Sequence, residues 1–354
     1  MRTPLCRAGL AAAIVALLAG CSSGHTHGSA DKVGGSSAPP ASLRLAYVSW
    51  STGGPDAFLL RRFADRVDTL SHGSLRVHVV DTNYRAPNEE ALVARAVRAG
   101  RFGLGWIASG GWDNVGVSTF RALQTPFLIT GYGVMDAVAR SPVAAQMLGG
   151  LRPYGVVGLA LVPSTLLHPS LHLPAKAPLT GPSSYRGVRF LVMRWPTTDT
   201  LLSALGGRPA FTVATGGPGA LKPLLDYTTA GEEVITANVV LSGRFNTLFA
   251  NSKALAGLSA TQRHALERAA HDLIGQAIRL TPTQQSAVPS QCESGALALA
   301  STEDLAALAT AARPVTQRLA QDARTRAYIT RIRAMKAAIP ADRAVSVPPR
   351  CLMR

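Results

Sequence analysis

Two of the four tryptophans in this 354-residue chain, Trp50 and Trp112, stand in turns of small residues: Ser49-Trp50-Ser51-Thr52 and Ser109-Gly110-Gly111-Trp112. Aromatic walls set with a few polar groups are how small-molecule pockets are built. The same rings serve equally well as packing at the rim of a core. Residues for reaction chemistry are scarcer. No Gly-x-Ser-x-Gly elbow or phosphate-binding loop occurs, and Gly103-Leu104-Gly105 lacks the third glycine of a dinucleotide fingerprint and lies in an apolar strand, where close packing explains it. His168 and His172 are four apart, but Pro169 opposes the helix that would align them and no third ligand is near, so no metal is expected. His25 and His27 fall in a polar stretch where solvation accounts for them. Asp65 and Asp68 lie on a helix face, and Glu89 and Glu90 open a helix, where acids favour the dipole. No acid/base pair emerges. The expectation is a binding protein without a cofactor, and not an enzyme.

The elements that would position the two tryptophan turns read clearly. Leu43 to Val48 alternates as a strand, and Gly53-Gly54-Pro55-Asp56 opens a helix whose Leu59, Phe63, Val67 and Leu70 share a face. Leu75 to Val80 alternates again, Asn88 caps a helix through Leu92 and Ala96 that ends at Gly100, and Phe102 to Ala108 is an apolar strand. Right-handed crossovers make the three strands parallel in the order 2-1-3, and ligands in such sheets sit beyond the strand C-termini where the order reverses. That rule sets Ser49–Thr52 and Ser109–Trp112 facing each other across one crevice. A second copy of the pattern follows: strand Val188 to Val192, helix Thr197 to Leu205, strand Pro209 to Val213, a helix over Gly219 to Thr229, and strand Val234 to Leu241. Two such lobes predict a hinged pair closing on a ligand. The tail reads as helical, with capping boxes at Ser259/Gln262 and Ser301/Asp304 and a segment running to about Ala338 that breaks at Pro314.

The start of the chain reads as an address. Arg2 and Arg7 precede the apolar stretch Leu10 to Leu18, too short to span a bilayer, and Leu18-Ala19-Gly20-Cys21 resembles the bacterial lipobox, in which the peptide is cut before a cysteine that then carries the lipids. On that resemblance residues 1–20 are a signal peptide, Cys21 is the anchor, and the Ser/Gly/Ala/Pro-rich stretch to residue 42 is a flexible tether holding the protein to the outer face of the cell membrane. Removing Arg2 and Arg7 takes the formal charge from +16 to +14. In an exported protein this excess speaks for an anionic ligand, an anionic envelope surface or an arginine-rich composition, and not for nucleic acid. Of four cysteines, Cys6 leaves with the signal and Cys21 is acylated, so Cys292 and Cys351 remain to pair as a disulfide in an oxidising compartment.

The stretch from Phe63 to Trp106 resembles the opening lobe of the TRAP-transporter solute receptors, the dicarboxylate-receptor-like family 7: helix, Ser-x-Gly, strand, helix, Arg-x-Gly, strand. Leu123-Gln124-Thr125-Pro126-Phe127, Tyr185-Arg186-Gly187-Val188-Arg189, and Phe249-Ala250-Asn251 with Leu258-Ser259 keep the family order, so the similarity runs from Leu43 to about Lys336. It implies an α/β, two-lobed, type II periplasmic-binding-protein-like fold with parallel-rich sheets and a long C-terminal helical segment. Residues 43–160 with about 242–290 would form lobe I, 161–241 lobe II, and 291–354 helices packing across both. It also implies capture of a small organic solute, a carboxylate by preference, for delivery to a TRAP-type permease. The family's carboxylate-gripping arginine falls at Leu191 here, and Arg194, beside Trp195, is the candidate replacement. Gly231 and Asn238 keep the end spacing of a further family motif, with Asn238 either at the ligand or structural. With Trp50, Ser51, Ser109 and Trp112 from the strand-order rule, and Arg194 and Asn238 from the comparison with the family pattern, the expected ligand set is Trp50, Ser51, Ser109, Trp112, Arg194 and Asn238. The rival reading is a lipid-anchored sensor or interaction protein using this fold without transport.

Overall fold

The computed structural model describes residues 40–48, 54–83, 86, 88–172, 177–211, 219–222, 224, 233–281, 283–340 and 342–353. Cys21, Trp50 and Ser51 lie outside these residues, as do the leader and nearly all of the tether. The first part of the chain runs β1 (Ala41–Tyr47), α1 (Pro55–Leu70), β2 (Leu75–Asp81), α2 (Glu89–Arg98) and β3 (Leu104–Ala108). β1 lies between β2 and β3 and is parallel to both, the 2-1-3 order that the sequence pattern requires. Pro55 opens α1 where its missing N–H has no partner to lose, Asp56 follows in the first turn, and Leu59, Leu60, Phe63 and Val67 bury the inner face. A side chain at Gly105 would run into the Phe249 ring and one at Gly103 into Leu43, so both glycines are there for close approach.

Helices α3 (Tyr132–Arg140) and α4 (Pro142–Gly149) lead into β4 (Val156–His172), a strand of 17 residues. Then come α5 (Pro182–Tyr185), β5 (Arg189–Leu191), α6 (Pro196–Ala204), β6 (Arg208–Ala210), β7 (Gly219–Lys222), β8 (Glu233–Thr236) and β9 (Ser242–Asn251). β9 inserts antiparallel between β3 and β4, which completes the first sheet. After Leu167 the strand β4 leaves that sheet and continues at His168–His172 between β7 and β8 in a second one, where β5 pairs in parallel with both β6 and β7. One hydrophobic core surrounds the first sheet and a separate one, built on Tyr185, Phe190, Leu202 and Leu241, surrounds the second.

Two expectations are corrected. The segment from Gly219 begins as strand β7 and not as a helix; it fits between β4 and β5 because a Cβ at Gly219 would press on Val188 and Phe190 at 2.9 and 3.0 Å, so glycine lets the strands close up. The strand placed over Val234 to Leu241 stops at Thr236, where the chain turns and Asn238 takes a structural role. Its Nδ2 donates to the Ala300 carbonyl at 2.8 Å and its Oδ1 accepts from the Ala300 N–H at 2.7 Å.

The tail continues as α7 (Ser252–Ala256), α8 (Ala260–Leu280), α9 (Gln284–Ser294), β10 (Ala296–Ala298), α10 (Thr302–Ala311), α11 (Arg313–Leu319) and α12 (Ala323–Ala338). The Ser259/Gln262 box caps α8 reciprocally, with bonds of 3.2 and 3.0 Å. Ser301 caps α10, Pro314 opens α11, and a further break at Asp322, which caps α12, divides the segment again. β10 adds to β8 in parallel, and Cys292 and Cys351 form a disulfide with Cα atoms 5.0 Å apart, holding the tail beside that strand.

Cross-linking residues 59 apart removes loop-closure entropy from the unfolded chain, on the order of 4 kcal/mol. Cys292→Ser is therefore expected to lower the melting temperature by several degrees, and reductant should do the same to the wild type but not to the variant, as followed by circular dichroism. A second prediction concerns His168, fully buried where β4 changes sheets. Burial lowers its pKa from 6.5 to about 4, with the Thr236 and Val239 backbone opposing. Between those values the unfolded chain holds the extra proton, so the stability from this group is full above pH 6.5 and is lost as pH falls toward 4, about 3 kcal/mol in all. Urea melts of His168→Leu should show a flatter pH dependence across that window.

Candidate functional site

Beyond the C-terminal ends of β1 and β3, where the strand order reverses, lies a small cleft with a free volume of about 10 Å³, room for roughly one water. Five elements build its walls: Val48 after β1, Asp56 from the first turn of α1, Glu90 from the first turn of α2, Trp106 to Ala108 from β3, and Arg244 and Asn246 from β9. Ala108 and Asn246 are cross-strand partners, as are Trp106 and Leu248, so Trp106, Ala108, Arg244 and Asn246 project from one face of the sheet.

Glu90 is the buried centre of this arrangement. One carboxylate oxygen accepts the Ala108 N–H at 3.0 Å and the other accepts the indole N–H of Trp195 at 2.8 Å. Burial pushes the Glu90 pKa up, while Arg244 and those two donors pull it down. Trp195 comes from the second lobe, one residue before α6, and packs flat enough on the turn after β3 that a Cβ at Gly110 would lie 2.6 Å from the ring. The Arg244 guanidinium lies 6.0 Å from the other part of this site, the Trp195 ring centre. A third contact, the apolar cluster of Ala108, Leu167 and Trp195, adds to the join between the lobes.

Among the described residues, three buried polar atoms of the cleft have no hydrogen-bond partner: Trp106 Nε1, Arg244 Nε and Asn246 Oδ1. Asn246 Nδ2 donates to Asp56 Oδ1 at 3.2 Å, which fixes the amide orientation because a carboxylate only accepts. Two donors and one acceptor in a nearly dry cleft can take up a small polar guest at far lower cost than solvated groups could.

The residues singled out from sequence fall in several places. Ser109 is buried at the first position of the turn after β3. Trp112, three residues on, is fully buried, donates to Thr247 Oγ1 at 2.8 Å, and sits edge-on to Phe249 and Tyr154. The structure thus gives its ring to the first core. Arg194 is exposed, 4.6 Å over the Phe211 ring, and faces Asp199, whose pKa burial raises to about 6 against the pull of that arginine. Asn238 is engaged with Ala300, as described above. Val48 leads directly into the stretch holding Trp50 and Ser51. The sequence reading missed Glu90, Trp106, Trp195, Arg244 and Asn246. Glu90 was explained by the helix dipole, although an acid pair opening a helix at a strand-end crevice was a usable signal. Arg244 is the one charge in the apolar run Val239 to Ala250.

Residues 49–212 match the model of Bacterial extracellular solute-binding protein, family 7. That stretch, a little under half of the chain, is similar to this family of solute-binding proteins, and the likeness of fold runs further along the chain. A TRAP periplasmic solute-binding protein from Ralstonia eutropha H16, solved with (S)-2-acetolactate, superposes with a TM-score of 0.72 at 17% identity, covering 84% of this chain and 99% of its own. The sugar acid binding protein of Advenella mimigardefordensis, with galactonate, gives 0.72 at 19%, covering 85% and 99%. A TRAP protein from Shewanella oneidensis, with succinate, gives 0.70 at 14%, covering 84% and 99%. At these identities the likeness establishes the two-lobed α/β fold with its C-terminal helices. No curated protein matches the chain.

The Glu90–Trp195 bond is the contact to test first. Trp195→Phe keeps an aromatic ring on Gly110 but leaves a buried carboxylate oxygen short of a donor, which should cost about 1–3 kcal/mol in urea unfolding.

Proposed function

We propose that this protein is an extracytoplasmic receptor that captures a small organic acid in the cleft between β3, β9 and Trp195 and presents it to a TRAP-type permease. The observation that carries this reading is the pair of unpartnered buried donors, Trp106 Nε1 and Arg244 Nε, on one face of the strand ends. A carboxylate supplies two acceptor oxygens, and an arginine fork recognises them better than any other side chain. The place of the family arginine holds Leu191, which pairs with Ala210 and Ala220 inside the second sheet. In this reading Arg244, from β9, supplies the guanidinium instead. The relatives of like fold carry organic acids of this kind: acetolactate, galactonate and succinate. Trp195 serves as the contact by which the second lobe closes over the guest, and burying the acid between lobes strengthens each polar contact.

The Leu-Ala-Gly-Cys sequence supports a lipid anchor on Cys21, with residues 22–42 as its tether. At roughly 5–6 Å times the square root of the residue number, such a tether keeps the receptor some 25 Å from the bilayer, within reach of a permease. The second reading, a sensor that keeps the fold without transport, draws on Leu191: a receptor that lost the usual grip could signal by its closed shape alone.

Isothermal titration against a panel of carboxylates tests the proposal. Saturable binding is expected in the wild type. Arg244→Ala should weaken it by about 100-fold or more, whereas Arg194→Ala should change it less than about threefold. Equal losses in both variants would contradict the assignment of the anion to Arg244, and no binding of any acid would favour the sensor.

A further inference from the structure

At the end of the first sheet opposite the cleft, four stretches of chain meet around Asn251. Its N–H donates to the Gly103 carbonyl at 2.9 Å, and the Gly103 N–H donates to the Arg44 carbonyl at 3.1 Å. Its Nδ2 donates to the carbonyls of Val97 and Arg98 at 2.8 and 3.2 Å. Asn251 also pairs with Val156 across β9 and β4, and the Ser252 hydroxyl donates to the Gly155 carbonyl at 2.9 Å. The start of β1, the end of α2, the turn at Arg152–Tyr154 and the start of α7 therefore share one end of the first lobe.

Each stretch brings a cation and none brings an acid. Residues 40–48, 96–104, 150–160 and 248–258 hold Arg44, Arg98, Arg101, Arg152 and Lys253, and no aspartate or glutamate. All five residues are exposed, and among the described residues none of them is in an ion pair. Two of the guanidinium groups stand over rings, Arg44 at 4.7 Å from the centre of Phe102 and Arg98 at 4.7 Å from that of Tyr154. Like charges gathered without counter-charge repel one another, a cost that an anionic partner removes.

The connectivity of the chain names that partner. β1 begins at Ala41, so the tether of the lipid-anchor reading joins the fold at this same end. A tether of this length keeps the end some 25 Å from the bilayer on average, close enough for frequent contact with its charged surface.

We infer that this end of the first lobe docks on the anionic headgroups of the membrane that holds the anchor, with Arg44, Arg98, Arg101, Arg152 and Lys253 on the lipid phosphates. This rests on the lipid-anchor reading above and extends it from attachment to orientation. An acyl chain and a basic patch are the two signals that together hold a protein firmly at a membrane. The cleft lies at the other ends of β1 and β3, so the docked receptor opens away from the bilayer, toward incoming solute. Handing that solute to a permease in the same membrane then requires this end to let go.

Co-sedimentation with vesicles tests the face on the mature chain carrying Cys21→Ser, which removes the anchor. Binding is expected to vesicles of phosphatidylglycerol mixed with phosphatidylcholine and not to phosphatidylcholine alone, and should be lost at about 0.5 M salt. Arg98→Ser, Arg101→Ser, Arg152→Ser and Lys253→Ser together should weaken it by about 100-fold. Arg324→Ser, Arg326→Ser, Arg331→Ser and Arg333→Ser together, which take the same charge from exposed positions of α12, should weaken it less than about fivefold. Circular dichroism checks that both variants fold, and the wild-type contrast between the two vesicles needs no variant. Equal losses in the two quadruple variants would overturn the assignment to this end. No binding to the anionic vesicles would overturn membrane docking and leave the patch to an acidic face of a protein partner. The anchor is read separately, by the mass of the N-terminal peptide of protein taken from native membranes: a Cys21 without acyl chains would overturn the anchor reading, whatever the vesicles show.

Discussion

A single buried carboxylate holds this molecule's functional geometry together. Glu90 is placed at the N-terminus of α2, where the helix dipole favours it, and reaches across the strand ends to the Ala108 N–H in its own lobe and to the Trp195 indole in the other. A charge taken out of water is costly unless its hydrogen bonds are made, so neither contact is optional. Trp195 must come to Gly110, and Gly110 must lack a side chain for the ring to arrive. The join between the lobes and the shape of the cleft therefore have the same cause. Arg244 belongs to it too, because it offsets the Glu90 charge while keeping its own Nε for the cleft.

Much of the first lobe was legible in the sequence because its signals are local. Alternation marked β1 and β2, glycine punctuation marked the ends of α1 and α2, and chirality then left one strand order. The second lobe was harder. β5, β6 and β8 are three or four residues long, too short for periodicity to speak, and β7 depends on a glycine that permits close approach to β5. β4 is hard for the opposite reason: Pro163 and Pro169 interrupt a strand of 17 residues that serves two sheets, and proline there reads as a break. Topology alone points to a crevice at the ends of β1 and β3, but no local pattern says that Arg244 and Asn246 lie beside Ala108, because β9 enters from far along the chain. Trp112 shows the reverse, a residue with the right type and position whose ring turns into the core to reach Thr247.

Trp106 lines the cleft and Trp195 stands beside it, and the two use their N–H groups differently. Trp195 donates to Glu90, whereas Trp106, 3% exposed, has no hydrogen-bond partner among the described residues. Burial alone does not separate the two rings; hydrogen-bond satisfaction does.

The way the chain end is stitched in has a consequence for how the protein must be made. The second sheet receives β10 from residues 296–298, its turn at Asn238 is clasped by Ala300, and Cys351 closes on Cys292 beside it. No local folding around β5 to β8 can supply these groups: β8 gains its parallel neighbour only when residues 296–298 return to it, so the second sheet and the C-terminal helices must assemble as one cooperative unit.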